Sequence, residues 1–239
     1  MPGYTKRQLK EDRFKAGAAE AVHWTEEHRS ALIIGIIALV AVVAAGVGGW
    51  AYIQHQNDKA SLEVGQALQT MSAPIVTPGQ PVPPNIETFT SIKDRAAAAR
   101  KKFLAIADHY SHTAAGKYSR YMAATAAIDA GDNAAAESEL KELASSRDRD
   151  SASLAQFALA SLYRNMGKDS DAIQIYKELA EKPTVTVPKG TSQLELAGMY
   201  ETTQPAEAAK LYESIQKADP KSVAAQIASE RLASAKKQQ

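Results

Sequence analysis

Residues 172–179 have the sequence AIQIYKEL, which places alanine, tyrosine and leucine at positions i, i+4 and i+7. This spacing puts the three side chains on one face of an α-helix. The same pattern occurs four times, as Ala99, Phe103 and Ile106; Ala136, Leu140 and Leu143; Ala172, Tyr176 and Leu179; and Ala208, Tyr212 and Ile215. Because the copies recur about every 36 residues, the sequence indicates an array of one repeated helical unit.

A second helical segment precedes each of the last three copies. Its predicted core positions are Ala124 and Ala127, Ala160 and Tyr163, and Ala197 and Tyr200. The residues between the two helices of a unit are Gly131-Asp132, Gly167-Lys168-Asp169 and Gln204-Pro205. Glycine ends one helix there, and Asp, or Gln ahead of a first-turn Pro, begins the next. The sequence therefore predicts an all-α solenoid of helix pairs.

The ends of the array depart from this unit. Residues 73–87 are rich in proline and cannot be helical, so we expect an extended loop there. The missing partner of the first copy is then the stretch 55–72, with Leu62, Leu68 and Met71 as its apolar positions. Ser222 can cap a final helix that carries Val223, Ile227 and Leu232. The insertion at residues 182–190 either pairs briefly in extended form or forms a loop.

Residues 31–53 form the strongest single feature, a run of 23 residues without a charge. As a helix this run is about 34 Å long, enough to span the ~30 Å hydrocarbon core of a membrane. Trp24, Trp50 and Tyr52 lie where interfacial aromatic residues anchor the ends of such a helix. The sequence predicts a single transmembrane helix, and a buried core helix is the less favoured alternative because every face is apolar.

The flanking charges predict the orientation. Six basic residues precede the apolar run, namely Lys6, Arg7, Lys10, Arg13, Lys15 and Arg29, whereas Lys59 alone follows within the next 20 residues. The positive-inside rule then places residues 1–30 in the cytoplasm and residues 54–239 outside it. A cleaved signal peptide is the competing interpretation, although both the polar lead and the apolar run are long for one.

Small residues lie along one side of the predicted membrane helix, three or four positions apart. They are Ala31, Gly35, Ala38, Ala41, Ala45 and Gly49. Such a face allows a second membrane helix to approach closely, but Gly and Ala are also simply frequent in membrane helices. Both interpretations stay open at this point.

Composition and motifs argue against several classes of function. A formal net charge of +1 gives no reason to expect a nucleic-acid partner. The absence of cysteine excludes disulfides and thiolate chemistry. His109 and His112 have no accompanying ligand cluster for a metal, and Arg147-Asp148-Arg149-Asp150 has the composition of a solvated loop. We therefore expect no enzyme activity, no metal and no cofactor.

The repeat resembles the tetratricopeptide repeat family, most closely in the third copy. The matching residues are Leu159, Ala160, Tyr163, Gly167, Ala172, Tyr176 and Pro183. This resemblance implies a concave groove, lined by the first helix of each pair, that binds a peptide or helix of another protein. Projected onto this sequence, the groove residues are Tyr118, Tyr121, Thr125, Leu154, Phe157, Ser161, Arg164, Asn165, Leu194 and Glu201. Tyr121 and Phe157 equally fit a place in the core between repeats.

The layout of the whole chain also resembles a known family. A membrane helix ending in Gly49-Trp50-Ala51-Tyr52 continues through residues 55–61 (HQNDKAS) into divergent repeats. This is similar to the YfgM-type ancillary subunits of the bacterial Sec translocon. The resemblance implies a bacterial cytoplasmic-membrane protein with translocon subunits, periplasmic chaperones or exported polypeptides as partners. Its periplasmic repeats would meet the polypeptides and chaperones, and its membrane helix would lie near the translocon. A repeat scaffold for envelope assembly or cell division is the alternative, and a regulatory or ligand-sensing module is a third.

Overall fold

The computed structural model describes residues 28–77, 84 and 86–237. These residues form nine α-helices. The helices are Arg29–Met71 (α1), Ile92–His109 (α2), Ala114–Asp129 (α3), Asn133–Ala144 (α4), Arg149–Asn165 (α5), Asp169–Glu181 (α6), Lys189–Tyr200 (α7), Pro205–Ala218 (α8) and Val223–Lys237 (α9). The chain divides into two compact units, residues 1–55 and residues 56–239. The predicted all-α class is confirmed.

The helices of the second unit pack as successive pairs. From α2 onward each helix contacts the next one in the sequence, and α3 also contacts α5 while α7 contacts α9. These additional contacts place the first helices of successive pairs side by side. The arrangement is that of an α-solenoid, in which each pair packs mainly against its neighbours.

Local signals set the helix ends as the sequence predicts. Gly131 and Gly167 adopt positive φ angles of 78° and 72°, a conformation that costs glycine little. Asp132 caps α4 by accepting a hydrogen bond of 3.0 Å from the N–H of Ala135. Asp169 is the first residue of α6, and Pro205 opens α8 after Gln204. Each connection is therefore short and leaves the two helices of a pair antiparallel neighbours.

All twelve residues of the repeated pattern are buried, and none exposes more than 5% of its surface. They belong to two hydrophobic clusters that meet at α3. The first cluster contains Ala99, Phe103 and Ile106, and the second contains the other nine residues. Ala123 and Ala126 face the first cluster, whereas Ala124 and Ala127 face the second. Because alanine occupies little space, α3 packs closely on both sides at once. The predicted repeat register is confirmed.

The segment of α1 from Gln56 onward is the first helix of the first pair, as the sequence predicts. Ala60, Val64 and Ala67 are buried with Ala99 and Phe103 of α2. The choice of Leu62 as a core position is wrong, since 74% of this residue is exposed. Leu68 and Met71 pack at the edge of the same cluster. Small residues, which allow α2 to approach, form the contact face in place of leucine.

The last helix is capped by Ser222, whose hydroxyl oxygen accepts a hydrogen bond of 3.1 Å from the N–H of Ala225. Its packing face differs from the predicted one. Ala225 and Ala228 are buried and Leu232 packs against them, whereas 71% of Val223 and 39% of Ile227 are exposed. Alanine again permits the close contact, and the larger residues lie on the uncovered side.

The described part of the first unit is the amino-terminal segment of α1. Its large apolar side chains from Ile33 to Val47 expose 47–70% of their surface. Among the described residues, α1 is the one helix long and apolar enough to cross a membrane, and none of its most apolar window is buried. A Cβ atom added at Gly35 or Gly49 would meet no other atom. The predicted tail residues up to Glu27, with Trp24 among them, lie outside the described residues.

Two loops complete the second unit. The ends of the proline-rich loop are joined by hydrogen bonds from Val76 N–H to Phe89 O (2.8 Å) and from Phe89 N–H to Pro74 O (3.1 Å). Residues 78–83 and 85 of this loop lie outside the described residues. The insertion after α6 is a loop, in which the N–H of Thr184 donates to the carbonyl oxygen of Val187 and the Val187 side chain is buried. The open choice between extended pairing and a loop is thereby resolved.

Candidate protein-binding surface

The predicted groove residues of α3 lie one helical turn apart. Tyr118 exposes 43% of its surface, while Tyr121 and Thr125 are half-buried. The hydroxyl of Thr125 donates to the carbonyl oxygen of Tyr121 at 3.2 Å, so it is engaged within its own helix. Burial raises the pKa of the Tyr121 hydroxyl, and the neighbouring Tyr118 adds to this effect. Tyr118 is thus the more accessible of the two rings.

On α5, the ring of Phe157 rests on a buried residue of the next helix. Its centroid lies 5.5 Å from that of Tyr176 in an edge-to-face arrangement. Ser161 and the Tyr176 hydroxyl share a hydrogen bond of 2.9 Å. Phe157 is half-buried against the second hydrophobic cluster. Leu154, three positions earlier in the sequence, is also half-buried. The Phe157 ring is therefore supported by Tyr176 and remains partly accessible to solvent.

An ion pair links the first helices of the third and fourth pairs. Nη1 of Arg164 on α5 lies 2.5 Å from Oε2 of Glu195 on α7. Both side chains are at least one-third exposed, so the pair contributes at most about 1 kcal/mol to stability. Asn165 is exposed at the end of α5, and Leu194 is half-buried on α7. The charge of Arg164 is already compensated before any partner binds.

Glu201, the last predicted groove residue, is engaged at the end of α7. Its Oε1 accepts a hydrogen bond of 2.7 Å from the Tyr212 hydroxyl, and its Oε2 lies 3.7 Å from Arg231 of α9. Burial raises the pKa of Tyr212, and the hydrogen bond to Glu201 raises it further. Glu201 therefore ties α7, α8 and α9 together, which is a structural role that its position in the sequence did not indicate.

The predicted residues thus occupy the first helices α3, α5 and α7, or the end of α7. Tyr121, Phe157 and Leu194 pack along the edge of one hydrophobic cluster. Tyr118, Arg164 and Asn165 are exposed. In the described part of the chain no three His, Cys, Asp or Glu side chains are grouped so as to hold a metal ion. The surface presents aromatic rings, charged side chains that are already paired, and hydroxyl groups.

A model of the tetratricopeptide repeat-like domain family matches residues 23–186, well over half of the 239 residues. The chain belongs to this family. A solved structure with a similar fold is a crystal structure of nearly identical TPR-like repeats from a putative kinesin light chain of Podosopora anserina. It is 17% identical, with a TM-score of 0.50 over 71% of this chain and 78% of that chain. This similarity concerns the fold alone. A comparison with curated proteins gives no match.

Tetratricopeptide-like repeats form protein-binding scaffolds, and the fold is typically non-catalytic. In this member a half-buried arginine joins the first two helix pairs. Arg120 on α3 contacts Asp108 of α2 at 2.7 Å and both Glu139 and Glu142 of α4 at 2.9 Å. Only 14% of its side chain is exposed. The partners lie 12 to 22 positions away, so helical spacing in the sequence could not have revealed the network.

A second network joins the second and third repeat pairs at Glu137 of α4. Its carboxylate lies 2.6 Å from Lys141, 3.0 Å from the Tyr163 hydroxyl and 3.3 Å from Lys168. These donors, with the hydrogen bond from Lys141 the largest contribution, lower the pKa of Glu137 to about 2. Both networks lie at the joints between successive repeat pairs and connect them through ionised side chains.

Proposed function

We propose that the chain is a membrane-anchored protein-binding scaffold of the bacterial cell envelope, associated with the Sec translocon and with the chaperoning of exported polypeptides. One observation carries the proposal. The family match to residues 23–186, which includes the first three copies of the repeat, also includes residues 31–53, whose apolar side chains are exposed. A repeat domain of a protein-binding class and an uncovered apolar helix thus fall within a single family match.

The anchor in this proposal is residues 31–53. A helix with every face apolar and uncovered requires an apolar surrounding, and the hydrocarbon core of a membrane provides one. The six basic residues between Lys6 and Arg29 favour a cytoplasmic amino terminus. The repeat domain then lies in the periplasm or outside the cell.

The proposed binding surface is the one formed by the predicted groove residues of α3, α5 and α7. Aromatic residues and arginine provide most of the binding energy at many interfaces, and Tyr118, Tyr121, Phe157 and Arg164 supply them here. The support of Phe157 by Tyr176 holds its ring in place before binding, which lowers the entropy lost on association.

The Sec partner follows from the YfgM-type resemblance of residues 49–61 and the small-residue face of the anchor. We expect the face formed by Gly35, Ala38, Ala41, Ala45 and Gly49 to contact a translocon helix inside the bilayer. Val43 lies on the opposite side of the same helix and provides a matched control.

The test places a photoreactive amino acid at Ala45 or at Val43 of the full chain in intact cells. The expected result is a crosslink to a translocon subunit from Ala45 that is absent or much weaker from Val43. A crosslink to a component of envelope assembly or cell division, in place of the translocon, would show that the Sec assignment is wrong. Equal crosslinking from both positions would show that the small-residue face is not the surface that contacts a partner helix.

A further inference from the structure

A second feature of the first-helix surface lies outside the predicted groove. A hollow of about 290 Å³ opens between α1 and α3 and is lined by Asn57, Ser61, Val64, Ala114, Ala115 and Tyr118. No charged residue is among these described lining residues. Tyr118 is shared with the predicted groove, so the hollow continues that surface toward the first helix of the array.

The hollow lies at the amino terminus of α3, where free backbone N–H groups would normally attract an anion. Two of these groups are already occupied. The N–H of Ala115 donates to Oδ1 of Asn57 at 3.0 Å, and the N–H of Gly116 donates to the hydroxyl of Thr113 at 2.9 Å. An acidic side chain or a carboxyl terminus would therefore gain little at this helix end.

A further polar group in the lining, the hydroxyl of Ser61, is also engaged. The hydroxyl of Ser61 donates to the carbonyl oxygen of Asn57 at 2.8 Å, within α1. What the hollow presents to an occupant is then mostly apolar, chiefly the side chains of Val64, Ala114 and Ala115 and the exposed ring of Tyr118. An occupant gains free energy here by removing apolar surface from water.

We infer that this hollow is a subsite of the binding surface that accepts an apolar side chain of an uncharged polypeptide segment. The inference rests on the proposed function, because the occupant is a polypeptide only if the repeats bind proteins. Four positions separate Asn57 from Ile53, the last residue of the apolar run, so Asn57 lies within ~14 Å of it in any chain conformation. The segments that reach this subsite are those close to the membrane surface.

The experiment uses the full chain in nanodiscs, with a photoreactive amino acid at Ser61 or at Leu62. Ser61 lines the hollow, whereas the neighbouring Leu62 is outside the lining and largely exposed. The probes are two short biotinylated peptides of one length, one carrying leucine and the other aspartate at the same positions. Burial of one apolar side chain predicts labelling from Ser61 by the leucine peptide about tenfold above the aspartate peptide. Labelling from Leu62 should be much weaker.

Equal labelling by the two peptides, equal labelling from the two positions, or crosslinks from Ser61 to lipid tails would overturn the inference. A second variant, Ser61→Arg, fills the hollow with charge and should weaken binding of the leucine peptide about tenfold with an unchanged melting curve. Undiminished binding by this variant would also overturn the inference. A third photoreactive position, Phe157, separates the two proposals. Labelling from Phe157 without labelling from Ser61 refutes the subsite alone, and no labelling from either refutes protein binding by this surface.

Discussion

Alanine at the crossing points of the helix pairs sets how closely the helices approach. Ala99, Ala136 and Ala172 are fully buried, and Ala208 is 3% exposed. Each lies one turn before a large buried residue of the same helix, such as Tyr176 after Ala172. The small residue admits the neighbouring helix, and the large one fills the space beyond the contact.

The substitution Ala172→Leu tests this role. Three extra heavy atoms in a closed contact force side chains from their preferred rotamers, so we expect the free energy of unfolding to fall by about 1 to 3 kcal/mol. The matched control is Ala206→Leu on α8, where the side chain is exposed and the change should be small. Thermal denaturation of the two variants followed by circular dichroism makes the comparison. Equal melting temperatures would show that Ala172 does not lie at a tight contact.

At the scale of the helices, the joints between repeats depend on ionised side chains as well as on apolar packing. The lowered pKa of Glu137, about 2 compared with its ordinary value of 4.5, means that the folded state favours its ionised form. Its stabilising effect is therefore complete above pH 4.5 and is lost as the pH falls toward about 2. The joint between α4 and α5 should weaken in acid.

The substitution Glu137→Gln isolates this effect. Near neutral pH we expect the variant to be less stable than the natural chain by about 1 kcal/mol, because the contacts to two lysines lose their charge assistance. The difference should shrink on acidification toward about pH 2. Glu178→Gln, on the exposed face of α6, provides the control and should show a small difference at every pH. A difference that stays constant in acid would contradict the assigned network.

The first helices carry the proposed binding surface, and the double substitution Phe157→Ala with Arg164→Ala tests it. Since each anchor residue can contribute about 2 kcal/mol, binding of a partner captured by crosslinking should weaken by several kcal/mol. Melting temperature and partner recovery are measured on the same protein. Glu178→Ala with Lys217→Ala, on the second helices, is the matched control.

Three outcomes of that experiment are distinct. Lost recovery with an intact fold is the expected one. Loss of stability together with recovery would show that Phe157 and Arg164 belong to the core and to its ion pairs. Unchanged recovery would show that the partner binds elsewhere.

The sequence predicted those elements whose contacts recur at a fixed spacing. The triad of Ala172, Tyr176 and Leu179 and its three copies show both the helical period and the repeat period, and all are buried. The prediction was wrong where alanine forms the contact face. Leu62 and Val223 are large apolar residues that stay exposed, whereas Ala60 and Ala225 are buried. Hydrophobicity alone favours the larger residue, whereas close helix contact requires the smaller one.

The parts of the candidate site that the sequence could not predict are contacts between distant positions. Arg120 and its three carboxylates come from three helices, and Glu195 is 31 positions from Arg164. The hollow at Asn57 and Tyr118 forms only when α1 and α3 pack. Charged and polar residues of this kind have no periodic pattern, so their partners appear only after the fold is known.

The whole molecule combines a tetratricopeptide repeat-like domain with an apolar helix, and within the described residues none of the most apolar window of this helix is buried. Each feature alone is common. In the proposed function the apolar helix is a membrane anchor, and such an anchor restricts the domain to partners that come close to one membrane surface. The orientation of the anchor decides which side of the membrane those partners occupy.

The most direct measurement is the location of a reporter fused after Gln239, using a pair of enzymes of which one is active only in the cytoplasm and the other only outside it. The charge asymmetry around residues 31–53 predicts that only the external reporter is active and that the protein stays with the membrane at its full length. Cytoplasmic activity would contradict the orientation. A mature amino terminus near residue 45 would contradict the anchor and favour a cleaved signal peptide.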